Sequence, residues 1–366
     1  MLTSPLTVAL VSTQRGWHGG EEQARLLAIG LRDRDHRCVV LARRDGAFAQ
    51  RMQAEGFEIR PFDGGGRSLK AIWQMHSHLR HVRPDVLHYN DSHAMTGAGI
   101  AAIGLRIPAR IVARRVDFPI RSARSYRWFA DRVVCVSREV ARVCREGGIS
   151  AAVLRVVHDG VDPSRVRGGD RHRGRAALGL REEQTLLLCV ATLTDHKGHR
   201  FLLEAMPEVL RERPKMVLAL AGDGELREVL EQQARQLGIE QNIWFLGYRQ
   251  DVPDLIAASD LFVLASHLEG LCSTLIDVML AGRPIVTTAA GGIPDLVVDE
   301  TTGKPVARTV PPCDPPALAA AILTALQSPE QSAALQELAR QRAEGRFTAD
   351  QMVEATLAVY REAVTQ

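Results

Sequence analysis

Short aliphatic, β-branched runs alternate with longer stretches of helical periodicity along nearly the whole chain, and that alternation leaves few folds open. Leu6–Ser12 (LTVALVS), Arg37–Arg43 (RCVVLAR), Asp85–Asn90 (DVLHYN), Ala109–Arg115 (ARIVARR) and Arg132–Ser137 (RVVCVS) read as strands, separated by helix patterns such as Glu21–Arg34 and Ser68–Val82. Strands spaced by helices form βαβ units and a parallel sheet. The pattern breaks at Ser164–Leu180, SRVRGGDRHRGRAALGL, which is polar and glycine-rich, and then restarts with Thr185–Thr192, Met216–Gly222, Ile243–Gly247 and Leu261–Ser266 as strands. The sequence therefore predicts an α/β protein of two doubly wound domains facing a central cleft. The first takes residues 1–165, a linker residues 166–180, the second residues 181–348, and residues 349–366 a closing helix able to pack back on the first.

A chain of 366 residues exceeds what one hydrophobic core usually serves, and 46% hydrophobic with 24% charged residues is ordinary globular composition. The apolar stretch Ala94–Leu105 is too short for a membrane span, and the start, MLTSPLTVALVST, has no basic region ahead of its apolar run, so it reads as a first strand rather than a signal peptide. Six cysteines without regular spacing predict reduced thiols in a cytoplasmic protein. Charge is uneven: residues 1–165 hold 26 Lys and Arg against 16 Asp and Glu, the remainder 20 against 27. A basic half is consistent with solvated helix faces or with attraction to an anionic membrane or acceptor, through residues such as Arg67, Lys70, Arg80 and Arg83.

In doubly wound sheets ligands sit beyond the carboxyl ends of the strands, so loops after strands carry the candidates. Glu269 follows the strand LFVLAS, and CSTLIDVMLAG then reads as a helix with Ser273 and Thr274 near its start and Gly282 and Pro284 past its end. The backbone N–H groups of Leu271, Cys272 and Ser273 are candidate donors to a diphosphate. Asp277, about one turn deeper, is placed to bind a pair of hydroxyls; the alternative makes Glu269 a surface acid and Asp277 a solvent-facing helix residue. Lys197 sits beside Gly198 in another post-strand loop. Gly19 and Gly20 follow the first strand, either for close backbone approach to a ligand or as a plain turn before a helix. His93 reads as a loop histidine at a strand end. No metal site is apparent, since the Asp-x-Asp spacing within Arg32–Asp35 ends a helix away from these loops.

Glu269, Gly270 and Asp277 followed by VMLAGRPIV resemble the acidic signature and helix–strand of the retaining family 4 glycosyltransferases of GT-B fold. GWHGGEEQARLLAIGL (Gly16–Leu31), HDGVD (His158–Asp162), TLTDHKG (Thr192–Gly198) and LALAGDGELR (Leu218–Arg227) resemble further family segments in the family's order, across nearly the whole chain. The resemblance implies a retaining transferase that moves a sugar from a nucleoside diphosphate donor to a glycan, lipid-linked or small-molecule acceptor, as in cell-envelope polysaccharide synthesis. It implies no cofactor and no metal. It assigns leaving-group stabilisation to Lys197, the donor sugar hydroxyls to Glu269 and the ribose to Asp277. Gly19, Gly20, Thr192, Gly222, Leu271, Cys272 and Ser273 belong to the donor site, with Tyr248 and Arg249 of FLGYRQD near the base. His93, Arg115 and Asp117 are acceptor-side candidates.

Two departures stand out. Asp277 replaces the family's second glutamate, and Thr192 stands where the family places an arginine on the diphosphate, which leaves Lys197 as that loop's cation unless Arg249 contributes. Among rival classes, a nicotinamide dehydrogenase would need G-x-G-x-x-G between first strand and helix, where this chain has STQRGWHGGEE. A sugar epimerase or phosphorylase shares the fold, and Thr192 motivates a non-catalytic nucleotide-sugar or membrane-associated protein.

Overall fold

The computed structural model describes residues 4–120 and 122–365; Met1–Thr3, which open the expected first strand, lie outside the described residues. The chain divides into two compact units, residues 1–160 with 349–366, and residues 161–348.

The first unit contains seven strands: β1 Thr7–Ser12, β2 Arg37–Arg43, β3 Glu58–Phe62, β4 Val86–Tyr89, β5 Ala109–Arg114, β6 Arg132–Cys135 and β7 Leu154–Val156. They pair in parallel in the order β3-β2-β1-β4-β5-β6-β7. All four residues of β4 and of β6 are buried, as expected for strands covered on both faces. The helix Ala349–Val364 belongs to this unit, where its Met352, Val353, Leu357 and Tyr360 join the core formed with Leu27, Leu31 and Phe48. Tyr360 Oη shares a 2.7 Å hydrogen bond with His88 Nδ1, and burial pulls His88 down to about 3, so the imidazole is neutral.

The second unit repeats the plan with β8 Thr185–Val190, β9 Met216–Ala221, β10 Ile243–Gly247, β11 Leu261–Leu264, β12 Ile285–Thr288 and β13 Arg308–Val310, ordered β10-β9-β8-β11-β12-β13, all parallel. The stretch expected to be a linker, residues 166–180, is part of this unit. Asp170 caps the helix Arg171–Ala177 by accepting from the Arg173 N–H at 2.7 Å. Arg171 donates to the Ala258 carbonyl at 3.0 Å, and Arg173 pairs with Asp254. Its polarity reflects arginines matched to acids and carbonyls of the helix Val252–Ala258, not solvation of a free tether. The first unit accordingly ends at Gly160, five residues before the expected boundary.

Five of the six cysteines are buried, and all six are free thiols; Cys313 is exposed. Among the described residues no helix is long and apolar enough to cross a membrane.

Candidate functional site

The strand order of the second unit changes direction between β8 and β11. Connections leaving the two strands diverge to opposite sides, which opens a crevice at their carboxyl ends. The segment after β8 delivers Lys197 and the segment after β11 delivers Glu269. There Lys197 Nζ lies 2.5 Å from Glu269 Oε2, and the Ser266 hydroxyl donates to the same oxygen at 3.3 Å. The two loops are tied by the His267 N–H, which donates to the His196 carbonyl at 2.9 Å.

Both partners are largely buried, with 15% and 9% of their side chains exposed. Burial is the largest influence on Lys197 and favours the neutral amine, but the Glu269 carboxylate and its hydrogen bond outweigh it and the net shift is upward. Lys197 is therefore an ammonium at neutral pH. Beside it, burial and then Glu269 push the Cys272 thiol up to about 12, so this cysteine is a packing group and not a nucleophile.

Helix Ser273–Leu280 begins directly after this pair, with Cys272 as its N-cap (φ −92°, ψ 98°). First-turn N–H groups have no intrahelical acceptor and sit at the positive end of the helix dipole. Ser273 and Thr274 supply them, whereas Leu275 N–H bonds the Cys272 carbonyl at 3.1 Å. Leu271, one of the expected donors, precedes the cap. Asp277 is 3% exposed and its Oδ2 lies 3.3 Å from Arg165 Nη2, so the solvent-facing alternative does not hold. Glu269, 8% exposed, is no surface acid either. Arg165 had no sequence signal beyond its place at a domain end.

Gly291 explains the glycine pair after β12. Its φ is +51°, and a Cβ there would stand 1.9 Å from the Glu269 carbonyl oxygen, while the Gly292 N–H donates to that same oxygen at 2.8 Å. Gly291→Ala is expected to cost more than about 2 kcal/mol, from left-handed strain plus a clash with backbone that cannot rotate away. Urea unfolding measures this. A midpoint like the parent's would mean the Glu269 loop yields.

The remaining donor-side candidates lie on adjoining segments, with the Gly222 N–H donating to the carbonyl of Gly247, the residue before Tyr248, at 2.8 Å. Gly222 packs its Cα against the Ala191 carbonyl, 2.0 Å from where a Cβ would be, and so shapes the loop that carries Lys197. Thr192 is exposed, its hydroxyl 3.3 Å from that of Thr194. Tyr248 is exposed. Arg249 is held by both oxygens of Asp251, so it is not the free cation that would offset Thr192.

In the first unit, Gly19 and Gly20 are not in a loop: they open the helix Gly19–Arg32, with ordinary negative φ and no close neighbour where a Cβ would go. Arg115 and Asp117 are built into the fold. Arg115 donates to Asp159 Oδ1 at 3.2 Å and to Asn90 Oδ1 at 2.8 Å, and Asp117 is buried. Asn90 in turn donates to the buried Glu21, whose carboxyl is raised chiefly by burial. His93 is the second residue of the helix Ser92–Ala101 and not a loop residue. It does line a cavity of about 450 Å³ with Arg67, Arg114, Phe118 and Tyr126, and a second of about 400 Å³ shares Arg67 and His93 and adds Arg15 and Arg43. Among the described residues no carboxylate lines either cavity. Arg67, which is exposed, and the half-buried Arg114, not Arg115, are thus the cations that line the first cavity. Among the described residues no group of three His, Cys, Asp or Glu side chains is placed to hold a metal ion.

Two Rossmann-like units, one with an ion pair and a helix N-terminus at its switch point, define the GT-B class. The family model for group 1 glycosyl transferases matches residues 170–342, and that for glycosyltransferase family 4 matches residues 17–165. The chain belongs to this glycosyltransferase family. It is 32% identical over 248 residues to a D-inositol 3-phosphate glycosyltransferase of Saccharomonospora viridis, a match covering 64% of this chain and 56% of the relative. It is 28% identical over 179 residues to the glycosyltransferase MJ1607 of Methanocaldococcus jannaschii, covering 47% and 46%. The chain thus spans about half the length of the curated relatives it matches. Among solved structures, HepE of Anabaena in complex with UDP-glucose aligns with a TM-score of 0.84 at 23% identity, over 96% of this chain and 99% of that one. Sucrose-phosphate synthase of Thermosynechococcus elongatus aligns with a TM-score of 0.80 at 17% identity, over 98% and 99%.

Proposed function

We propose that this protein transfers a sugar from a nucleoside diphosphate sugar to an acceptor, with retention of anomeric configuration and in the cytoplasm. The observation that carries this reading is the buried Lys197–Glu269 pair beside the N-terminus of helix Ser273–Leu280. Breaking the sugar–phosphate bond builds negative charge on the departing diphosphate. Lys197 and the N–H groups of Ser273 and Thr274 are preorganised to receive that charge without a metal ion. Glu269, fixed by Lys197 and Ser266, orients the sugar hydroxyls. Asp277 binds the ribose once Arg165 gives way. The second unit is then the donor side and the first the acceptor side, with the Arg67, His93 and Arg114 cavity favouring an anionic acceptor. Relatives named for D-inositol 3-phosphate support an acceptor of that charge.

The test is release of nucleoside diphosphate from a panel of donors, with and without candidate acceptors, together with the anomeric coupling of the product by NMR. Release that needs no acceptor would point to another GT-B activity, and an inverted product would refute retention. A second reading, a protein that binds nucleotide sugars without turnover, is favoured by Thr192 and by the capture of Arg249 by Asp251. It predicts that a donor raises the melting temperature while no diphosphate is released.

Asp277→Asn separates binding from chemistry. A ribose contact persists from ground state to transition state, so KM for the donor should rise about tenfold to a hundredfold, the range for a hydrogen bond to a charged group, with kcat near the parent's. Loss of kcat at saturating donor would remove Asp277 from the ribose.

A further inference from the structure

Three consecutive helices of the first unit, Leu69–Val82, Ser92–Ala101 and Ala123–Phe129, contain no Asp or Glu. Residues 64–130 include three carboxylates, and all are engaged within the fold. Asp85 accepts from the Thr7 N–H at 2.7 Å, Asp91 caps its helix by accepting from the His93 and Ala94 N–H groups, and Asp117 is buried. The outward surface of these helices is therefore without negative charge.

The same surface exposes large apolar side chains. Trp73 is 71% exposed, Trp128 73%, Leu69 86% and Ile103 64%, with Ile100 also outward. They form one stripe. His76 Nδ1 lies 2.8 Å from the Ala101 carbonyl, which sets the turn after Trp73 beside Ile100, and a Cβ on Gly99 would touch Phe129, which sets Trp128 on the other side of Ile100. Leu69, Trp73, Ser77 and Arg80 recur at helical spacing on the exposed face of their helix. Cations surround the stripe. Arg80, Arg106, Arg124 and Arg127 are exposed and have no ion-pair partner among the described residues, in contrast to Lys70, which pairs with Asp63.

A water-facing surface rarely keeps two tryptophans in the open, and unpaired arginines around an apolar stripe suit one kind of partner. Tryptophan rings settle at the boundary between headgroups and acyl chains, and arginines at that depth meet anionic headgroups. We propose that this face docks on an anionic lipid bilayer, with Trp73, Trp128 and Ile100 entering the headgroup region and Arg80, Arg124 and Arg127 contacting lipid phosphates. The proposal goes beyond sugar transfer and holds whether or not the protein turns over a donor. It also moves the basic contact away from Lys70, whose charge is used within the fold.

The experiment uses the full chain with vesicles of phosphatidylcholine alone or mixed with phosphatidylglycerol, read by co-flotation and tryptophan emission. The parent should bind the mixed vesicles with a blue shift and should leave them as salt is raised, because exposed charges are screened within about 10 Å at 0.1 M. Trp73→Ala with Trp128→Ala should weaken binding at least about tenfold and abolish the shift, since Trp17 and Trp244 are partly buried. Arg124→Gln with Arg127→Gln should weaken it by about thirtyfold, at about 1 kcal/mol per cation near such a surface. Parent-like binding by either double variant, equal binding to pure phosphatidylcholine, or no binding to mixed vesicles would overturn the proposal. So would a concentration-dependent dimer that the tryptophan substitutions dissolve, since that would give the stripe to a second copy. All four side chains are exposed, and circular dichroism with diphosphate release, if the parent shows it, confirms that the variants are folded.

Discussion

Lys197→Ala is expected to lower turnover by about a hundredfold to a thousandfold, the loss typical of removing one preorganised group that meets developing charge. The expectation is at the upper part of that range because the charge is not shared. Thr192 occupies the neighbouring position of the loop with a hydroxyl, and the Arg249 guanidinium is already held by Asp251. Lys197 arrives charged and fixed, with its ammonium 2.5 Å from Glu269, so no reorganisation is needed when the diphosphate departs. Lys197→Arg should recover part of the rate, limited by fitting a planar fork into a site formed around one nitrogen. Thr192→Arg should tighten nucleoside diphosphate binding and slow its release. Donor turnover and diphosphate affinity across the three variants are the measurement. Unchanged turnover in Lys197→Ala, with the fold verified by circular dichroism, would take this loop off the diphosphate and favour a binding protein.

Most strands that the sequence reveals differ from those it conceals in one physical respect; the exception is β10, an edge strand that is half-buried yet legible because IWFLG is apolar. β1, β4, β5, β6, β8, β9 and β11 are covered on both faces, so their runs are almost wholly apolar and legible. β3, β7 and β13 are edge strands, and their residues, EIRPF, LRV and RTV, are largely half-buried. Nothing in such runs distinguishes a ladder from a loop. The candidate site was legible for a related reason. Glu269 and Lys197 each break an apolar pattern just after a buried strand, a position the fold reserves for ligands. Arg165 was not legible, because its partner Asp277 lies over a hundred residues away and a lone arginine in a polar segment looks solvated. The Arg171–Ala177 helix was misread on the same grounds. The first-unit cavity was half legible: His93 lines it, but β5 carries Arg114 into it while the adjacent Arg115 turns inward to Asp159 and Asn90.

Glu269→Gln should give opposite pH trends in activity and stability. In the parent the carboxylate outweighs burial and holds the Lys197 ammonium above its ordinary range. With glutamine the carbonyl still accepts a hydrogen bond, but the countering charge is gone and burial, the largest influence on Lys197, prevails. The folded-state pKa then falls below the unfolded value. Two consequences follow from that one sign. Activity needs the ammonium, so the alkaline limb of the rate profile should move to lower pH, with rate recovered as pH is decreased. Stability behaves the other way. The folded variant binds fewer protons than the unfolded chain between the two pKa values, so it should gain stability as pH rises through that window. At neutral pH the buried unpaired lysine should cost on the order of 3 kcal/mol, the lower end for breaking a buried pair, because the amide remains as a partner. The measurement is a pH–rate profile beside a series of thermal melts on the same protein. An alkaline limb coincident with the parent's would mean that the Lys197 charge is not set by Glu269. A rate loss independent of pH would assign Glu269 to the donor sugar hydroxyls alone, with no electrostatic hold over the cation beside it.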